Sequence, residues 1–366
     1  MASPTVINLS GSIPVSCFAW NGDRTQICVS FSTPEVYIYQ KQGSSWDKIH
    51  SLLEHDQRVL SIDWEPQSNL LATCGEDRNA YVWKLESDGK WKPGLVVLRI
   101  NRAATCVRWS PSGEKFAVGS GARIVSICYF QEEHNWWVAK NIKSGIRSTV
   151  TCLDWHPNST LLAVGSSDFH VRLFSAAIKG VDKRPEDTSW AESSQLRTFG
   201  SLLHTWKSEV DGWVHDVAFS PAGEVLAWVS HSSCVCFVHS SDTSKILSVH
   251  EHSLPYRCCM FANENLLIAA GHSCAPNLYK CAGGEWKFEK SLDSGAKEQS
   301  GSNVNSAMSR FKKLDLQSRE AASDVVLKST HQNAINHMVA LERKGNNVRF
   351  STSGLDGLIV LWAMQV

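Results

Sequence analysis

Paired cysteines and histidines are the residues of this chain whose types and spacing could support chemistry. Three pairs have such spacing: Cys234 with Cys236, Cys258 with Cys259, and His250 with His252. A zinc site would need a second pair of ligands at a matching spacing, and neither cysteine pair has one. Cys234 and Cys236 would share one face of a strand, where thiols pack as small hydrophobic groups. The histidines fall where an outer strand is expected to turn inward. We therefore predict no metal ion and no cofactor.

Glycine-rich and nucleophile motifs are equally weak. The sequence Gly119-Ser-Gly121 lacks the third glycine and the following helix of a dinucleotide site. Neither a phosphate-binding loop ending in Gly-Lys-Ser or Gly-Lys-Thr nor a Gly-x-Ser-x-Gly elbow occurs in the chain. The residues therefore predict a protein that is not an enzyme.

Composition limits the classes of partner. The chain has 36 Lys and Arg against 36 Asp and Glu, so its formal net charge is zero. A balanced charge argues against a general affinity for nucleic acid or anionic membranes. No segment reaches the roughly 18 apolar residues of a membrane span, and the N-terminus does not resemble a signal peptide. Most of the 12 cysteines lie within apolar segments. We therefore expect a reduced, cytoplasmic protein.

An aromatic residue recurs at intervals of roughly 45 residues, the period of four-stranded propeller blades. In six repeats this residue ends an apolar segment: Trp20, Trp64, Trp109, Trp155, Phe219 and Phe261. In most of them a turn with proline or glycine follows, then a strand of small and apolar residues. A seventh repeat ends at Trp362, although Ala340 stands at its aromatic position. The repeats predict an all-β fold, a single seven-bladed β-propeller over residues 1–366.

Three repeats carry the pattern of WD repeats, in which an aspartate precedes an aromatic residue by six positions. The pairs are Asp77 with Trp83, Asp168 with Phe174, and Asp356 with Trp362. The second and seventh repeats also have a histidine ahead of their first strand, at His55 and His331. Resemblance to WD-repeat propellers implies that the histidine and aspartate hydrogen-bond across the turns of their blade and anchor the tryptophan. All eight residues are therefore interpreted as structural.

The repeats also predict where the chain departs from its period. They place the blades near 13–54, 55–102, 103–147, 148–208, 211–252, 253–292 and 328–366. The β-branched segment 5–9 is expected to close the ring as the outermost strand of the seventh blade, with a frayed terminus as the alternative. Residues 176–197 form a charged, proline-containing insertion, interpreted as a surface loop that is either solvated or used for docking. Five tryptophans begin outer strands, where they either pack on the blade edge or contact a partner: Trp46, Trp91, Trp136, Trp137 and Trp286.

A second insertion, 291–324, separates the sixth and seventh blades and is mostly flexible in composition. Within it, one face of a short helix over 303–314 is indicated by Val304, Met308 and Phe311, with Ala307 and Leu314 nearby. A closed propeller leaves no core for this apolar face. The residues alone allow two interpretations: the helix enters a hydrophobic groove of a partner, or it folds back onto the side of the propeller.

The whole chain resembles the WD-repeat propeller subunits of the actin-related protein 2/3 complex, which nucleates branched actin filaments. Three of the resembling segments are Ile13-Pro-Val-Ser-Cys-Phe-Ala-Trp-Asn21, Cys74-Gly-Glu-Asp-Arg-Asn79 and Ser306-Ala-Met-Ser-Arg-Phe-Lys-Lys-Leu-Asp315. In that family the long insertion forms a protruding helix that contacts the mother filament. Together, the helical face and the resemblance imply these contact residues: Val304, Ala307, Met308, Arg310, Phe311 and Leu314.

The resemblance also implies a role and partners. The expected role is a non-catalytic scaffold subunit that supports filament nucleation and branching at the actin cytoskeleton. The expected partners are the other subunits of the complex, the actin filament, and nucleation-promoting factors with acidic, tryptophan-containing tails. The alternative is a peptide-binding adaptor, for example a ubiquitin-ligase substrate receptor. That adaptor would require a basic or aromatic ring at the central channel and would not need the protruding helix.

Overall fold

Seven four-stranded antiparallel sheets form the molecule, which confirms the predicted β-propeller. A computed structural model describes residues 3–251, 254–293, 327–344 and 347–365. The inserted helix predicted over 303–314 lies outside the described residues, as does His252.

The innermost strand of each blade carries the repeated apolar segment. The strands of blades 1 to 3 are β2 (Cys17–Trp20), β3 (Gln26–Ser30), β4 (Val36–Gln42), β5 (Ser45–Leu52), β6 (Val59–Trp64), β7 (Leu71–Gly75), β8 (Ala80–Leu85), β9 (Trp91–Val96), β10 (Ala104–Trp109), β11 (Lys115–Ser120), β12 (Val125–Gln131) and β13 (Trp136–Ile142). A 3₁₀ turn, Glu132–His134, joins the last two.

The remaining blades repeat this order from the inner to the outer strand. Their strands are β14 (Val150–Trp155), β15 (Leu161–Ser166), β16 (His170–Ser175), β17 (Leu202–Lys207), β18 (Val214–Phe219), β19 (Val225–Ser230), β20 (Cys234–His239), β21 (Asp242–His250), β22 (Tyr256–Asn263), β23 (Leu266–Gly271), β24 (Asn277–Ala282), β25 (Glu285–Ser291), β26 (Ile335–Lys344), β27 (Asn347–Gly354) and β28 (Leu358–Gln365). One short helix, α1 (Ser193–Leu196), interrupts blade 4.

The seventh blade takes its outermost strand from the other end of the chain. Strand β1 (Thr5–Asn8) pairs antiparallel with β28, with Val6 opposite Val360 and Ile7 opposite Ile359. Ile7 is 5% exposed and packs among residues of blades 1 and 7. Trp20 Nε1 also donates to Ser351 Oγ at 2.9 Å across this junction. The N-terminal strand therefore covers a sheet edge that would otherwise present unpaired backbone groups.

Hydrophobic residues fill the space between adjacent blades rather than one central core. Seven clusters of buried side chains lie one at each junction between neighbouring sheets. The second strands are buried along nearly their whole length, as in Leu161–Ser166. Sheets covered on both faces produce such continuous apolar segments.

The insertion of blade 4 is anchored to the propeller, which its charged sequence did not indicate. Ile178, Trp190 and Leu196 are buried, whereas much of 183–189 is exposed. Asp182 forms an ion pair with Lys115 of blade 3, and its carboxylate also accepts the N–H of Ile178 at 2.6 Å. The insertion is therefore a surface loop with buried anchor residues.

Candidate functional site

The predicted WD-repeat residues of blade 2 form one hydrogen-bonded chain. His55 Nδ1 lies 2.8 Å from Asp77 Oδ2, and its Nε2 lies 2.9 Å from Thr73 Oγ1. Trp83 Nε1 donates to the same hydroxyl at 2.9 Å. Burial lowers the pKa of His55, so the ring is neutral at pH 7. A neutral ring that donates from Nδ1 can accept the Thr73 hydroxyl proton at Nε2. These linked hydrogen bonds therefore join the segment before β6 and the turn after β7 to the centre of the blade.

Blade 7 repeats this arrangement with its own residues. His331 Nδ1 lies 3.0 Å from Asp356 Oδ2, while its Nε2 lies 2.8 Å from Thr352 Oγ1. Trp362 Nε1 donates to that hydroxyl at 2.8 Å. The threonine was not singled out in the sequence. Phe350 is the residue paired with Trp362, and Thr352 lies two residues further along the same strand, on the same face. This diagonal position is the signal that would have identified it.

Blade 4 keeps the aspartate but gives it a different partner. Arg172 donates to Asp168 Oδ1 at 2.9 Å, and the backbone N–H of Arg147 donates to Oδ2 at 2.9 Å. Phe174 occupies the tryptophan position and is fully buried. Since phenylalanine has no N–H to donate, this blade relies on the ion pair and on apolar packing.

Outer-strand tryptophans pack edge-to-face against the repeated aromatic of their own blade. The pairs are Trp20 with Trp46 (centroids 5.6 Å apart), Trp64 with Trp91 (5.7 Å), Trp109 with Trp137 (5.7 Å) and Phe261 with Trp286 (5.9 Å). Blade 5 differs, because Phe219 receives Trp190 from the blade 4 insertion at 5.9 Å. Trp136 is 59% exposed. Of the five outer-strand tryptophans, it is therefore the one available for a partner contact.

Half-buried charged side chains lie on the innermost strands of the blades. Asp63 and Asp154 each accept a backbone N–H from the inner strand of the next blade, from Trp109 at 2.6 Å and from Phe219 at 2.7 Å. Arg108 lies among these carboxylates, and one of its Nη atoms is 3.0 Å from His337 Nε2. Burial raises the pKa of Asp154 to about 7. These groups join neighbouring blades to one another.

The second residues of the seven inner strands line a cavity of about 470 Å³ at one end of the central channel. We call this end the upper mouth. Side chains in four blades donate to a backbone carbonyl of the following blade: Ser16 to Val59, Thr105 to Val150, Thr151 to Val214, and Asn336 to Val15. In blades 5 and 6 the second residues are His215 and Arg257. Leu60 holds this position in blade 2, so within the described residues three of the seven positions lack the inter-blade bond, and two of those three are basic.

The predicted filament-contact residues, 304–314, lie outside the described residues, but both ends of their insertion are described. The backbone N–H of Thr330 donates to Asp293 Oδ2 at 2.6 Å. The backbone N–H of Leu292 donates to Pro276 O at 2.8 Å, and that of Leu327 donates to Gln332 Oε1 at 2.8 Å. The chain therefore leaves the propeller and returns to it at neighbouring points.

Two features bear on cofactors and membranes. Within the described residues, no three His, Cys, Asp or Glu side chains are grouped so as to hold a metal ion. All 12 cysteines are free, and Cys234 and Cys236 are buried with their sulfur atoms 3.2 Å apart. No helix in the described part of the chain is long and apolar enough to cross a membrane.

Comparisons with known proteins agree with this architecture. The family model described as "WD domain, G-beta repeat" matches residues 46–84 and 140–175. Xenopus laevis actin-related protein 2/3 complex subunit 1A-A is 46% identical over 352 residues, covering 95% of this chain and 94% of the relative. Subunit 1B-A of the same organism is 47% identical, covering 96% and 94%. Subunit 1 of Schizosaccharomyces pombe is 38% identical, covering 94% and 96%.

Similarity at this level extends over whole chains rather than single repeats. It includes the blades that lack the histidine and aspartate pattern, and it spans the insertion between blades 6 and 7. The chain therefore belongs to the actin-related protein 2/3 complex subunit 1 family.

Proposed function

We propose that this chain is a non-catalytic scaffold subunit of an actin-related protein 2/3 complex, supporting nucleation and branching of actin filaments in the cytoplasm. The observation that carries the proposal is the full-length match to proteins named as subunit 1 of that complex, at 46% identity over 95% of this chain. A closed ring of seven sheets, tied by inter-blade hydrogen bonds, supports a scaffold role because it presents a rigid surface.

Contact with an existing filament is assigned to the insertion between blades 6 and 7. Residues 292–334 separate β25 from β26, whereas residues 53–58 suffice between β5 and β6. The Asp293–Thr330 contact holds the two ends of this excursion together. Because the segment leaves and rejoins the propeller at neighbouring points, it can project from the propeller without straining the blades. The proposed contact residues are those of the apolar helical face and Arg310: Val304, Ala307, Met308, Arg310, Phe311 and Leu314.

Docking of other subunits is assigned to the outer surface of the propeller. Between blades 2 and 3, a groove of about 1300 Å³ is lined by Leu95, Phe130 and Trp136 among others. These three side chains are 51%, 40% and 59% exposed. Large apolar side chains grouped at a surface favour a protein interface. Nucleation-promoting factors with acidic tails are proposed as further partners.

The adaptor alternative has one feature in its favour, since Arg58, Arg108 and Arg257 line the channel cavity. The relatives described above are nevertheless complex subunits, and each matches this chain over nearly its whole length. We therefore retain the scaffold function.

Replacing Phe311 by Ala tests the filament contact, because an aromatic anchor contributes much of the energy of a small interface. The complex reconstituted with F311A should assemble normally, co-sediment with actin filaments several-fold more weakly, and form fewer branches. S309A, on the opposite face of the predicted helix, is the matched control and should behave like wild type.

Deletion of residues 302–314 provides the stronger form of the test. Normal filament binding and branching by both F311A and the deletion, with an intact complex, would refute the filament assignment. Failure of even the wild-type chain to copurify with the other subunits would refute the scaffold function itself.

A further inference from the structure

Four basic side chains gather where blades 5 and 6 meet the upper mouth. His215 lies near the start of β18, and His231 directly follows β19. Arg257 lies on β22, and His272 directly follows β23. His215 Nε2 is 3.1 Å from His231 Nδ1, and the ring of His231 is 5.5 Å from that of Trp213. We call His215, His231, Arg257 and His272 the basic cluster. It is assembled from two blades, so no single repeat reveals it.

Arg257 affects the protonation of two histidines in this cluster. Burial, with smaller contributions from the charges of Arg257, His231 and His272, lowers the pKa of His215 to about 4. The same two neighbours, Arg257 and His231, act with burial to lower the pKa of His272. Both histidines are therefore neutral near pH 7, and the guanidinium of Arg257 is a fixed positive charge beside them. An anion bound among these groups would pair with Arg257 and favour protonation of the two histidines.

Arg257 also carries an unused hydrogen-bond donor. Its Nε is buried and has no hydrogen-bond partner within the described part of the chain. His337 Nδ1, which lines the same cavity, is likewise buried without a partner there. Buried donors without partners are uncommon in folded proteins, and each calls for a specific explanation. Both of these groups border the cavity of about 470 Å³ at the upper mouth.

The corresponding positions in other blades show what is unusual here. Ser16, Thr105, Thr151 and Asn336 use their side chains to hold the next blade. His215 and Arg257 occupy the same strand position but make no such bond within the described residues. Asp216 also lines the cavity, yet its carboxylate accepts the backbone N–H of Cys259 at 3.0 Å and that of Val217 at 3.0 Å. Both carboxylate oxygens therefore bond to the backbone, and no hydrogen bond within the described residues joins Asp216 to the basic cluster.

We propose that the basic cluster at the upper mouth binds a compact phosphate-class dianion between blades 5 and 6. The planar guanidinium of Arg257 can donate two parallel hydrogen bonds to adjacent phosphate oxygens. His215 and His272 can donate to the remaining oxygens of a tetrahedral anion from other directions. None of the cluster's residues belongs to the insertion after blade 6, so the inference does not depend on the filament assignment.

Titration of the full-length chain with sodium pyrophosphate at pH 6.5 tests this site by calorimetry. Wild type should bind with one site per chain, and Arg257→Gln and His215→Asn should each weaken binding at least tenfold. Arg257→Lys keeps the charge without the planar fork and should bind with intermediate affinity. Lys92→Gln removes an exposed cation from the outer strand of blade 2 and should bind like wild type.

Two comparisons keep the result decisive. Succinate, a dianion of similar size with planar carboxylates, should bind more weakly than pyrophosphate. Circular dichroism identifies any variant that has not folded, and if Arg257→Gln fails this check, His215→Asn and Arg257→Lys carry the test. Absence of pyrophosphate binding to wild type, equal binding by the folded variants, or equal binding of succinate would each overturn the proposal.

Discussion

Lys115 carries its charge into the junction between blades 3 and 4. Its side chain is 0% exposed, it pairs with the Asp182 carboxylate, and its Nζ donates to Ala176 O at 2.8 Å. Nζ also lies 5.2 Å from the centre of the Trp155 ring. A buried charge persists only when partners replace its lost hydration. One residue of blade 3 therefore fixes the insertion of blade 4.

Replacing Lys115 by Met should lower the free energy of unfolding by about 3–5 kcal/mol, because the buried Asp182 carboxylate then has no counter-charge. The double variant K115M/D182N should recover part of this loss. Urea unfolding followed by tryptophan fluorescence measures both values. Equal stability of the single and double variants would contradict the assigned ion pair. R58Q, which breaks the exposed Arg58–Glu76 pair, is the control and should change stability little.

Asp154 makes stability depend on pH. Burial raises its pKa to about 7, although the N–H of Phe219 and the charge of Arg108 oppose the shift. An aspartate in the unfolded chain has a pKa of about 3.9, so the folded state binds the proton more tightly. The resulting stabilisation is complete below about pH 4 and is lost as the pH rises through about 7.

The variant D154N should therefore gain stability relative to wild type as the pH is raised from about 4 to about 7. Each unit of pKa difference corresponds to about 1.4 kcal/mol, and the gain should level off above about pH 8. Urea unfolding at a series of pH values measures the difference. A constant difference across this range would show that Asp154 is not protonated in the folded protein.

Among the elements, β1 has the clearest consequence for the whole ring. Adjacent residues of this strand face opposite environments: Ile7 is 5% exposed and Val6 is 48% exposed. Successive side chains of a strand point to opposite faces. The two positions therefore form a matched pair for testing whether the strand is essential.

Placing a charge on the buried side of β1, with I7D, should lower the free energy of unfolding by about 3 kcal/mol or more, because the carboxylate has no partner there. V6D should have a small effect, since its side chain faces solvent. Thermal and urea unfolding compare the two variants. Similar losses from both, or from neither, would mean that β1 does not seal blade 7 in solution.

At the scale of the whole molecule, ring closure separates the propeller from the insertion after blade 6. The Asp293–Thr330 contact brings the two ends of the insertion together. The entropy cost of closing a loop changes only slowly with its length. The folding of the ring should therefore be largely independent of the intervening chain.

Replacing residues 296–325 with a short Gly-Ser linker should leave the free energy of unfolding within about 1 kcal/mol of wild type. The same variant, reconstituted into the complex, should lose co-sedimentation with filaments. Urea unfolding and sedimentation give the two readouts. A large loss of stability would show instead that the insertion packs on its own propeller, as the second interpretation of its apolar face would have it.

Repetition explains how much of the fold could be predicted. Trp20, Trp64, Trp109 and Trp155 occupy the same place in successive blades, because every blade meets the same packing requirement. The seven-bladed ring follows from that period and is confirmed. The family similarly follows from motifs spread over the chain and is confirmed by the relatives.

The sequence by itself therefore determined the architecture and the family, since both depend on local patterns that recur along the chain. Only the tertiary structure decided which distant residues meet: Trp190 with Phe219, Lys115 with Asp182, and Trp20 with Ser351. Each of these contacts joins residues of different blades. Their separation in the sequence carries no periodic signal, and they come together only because the closed ring places one blade's surface against the next.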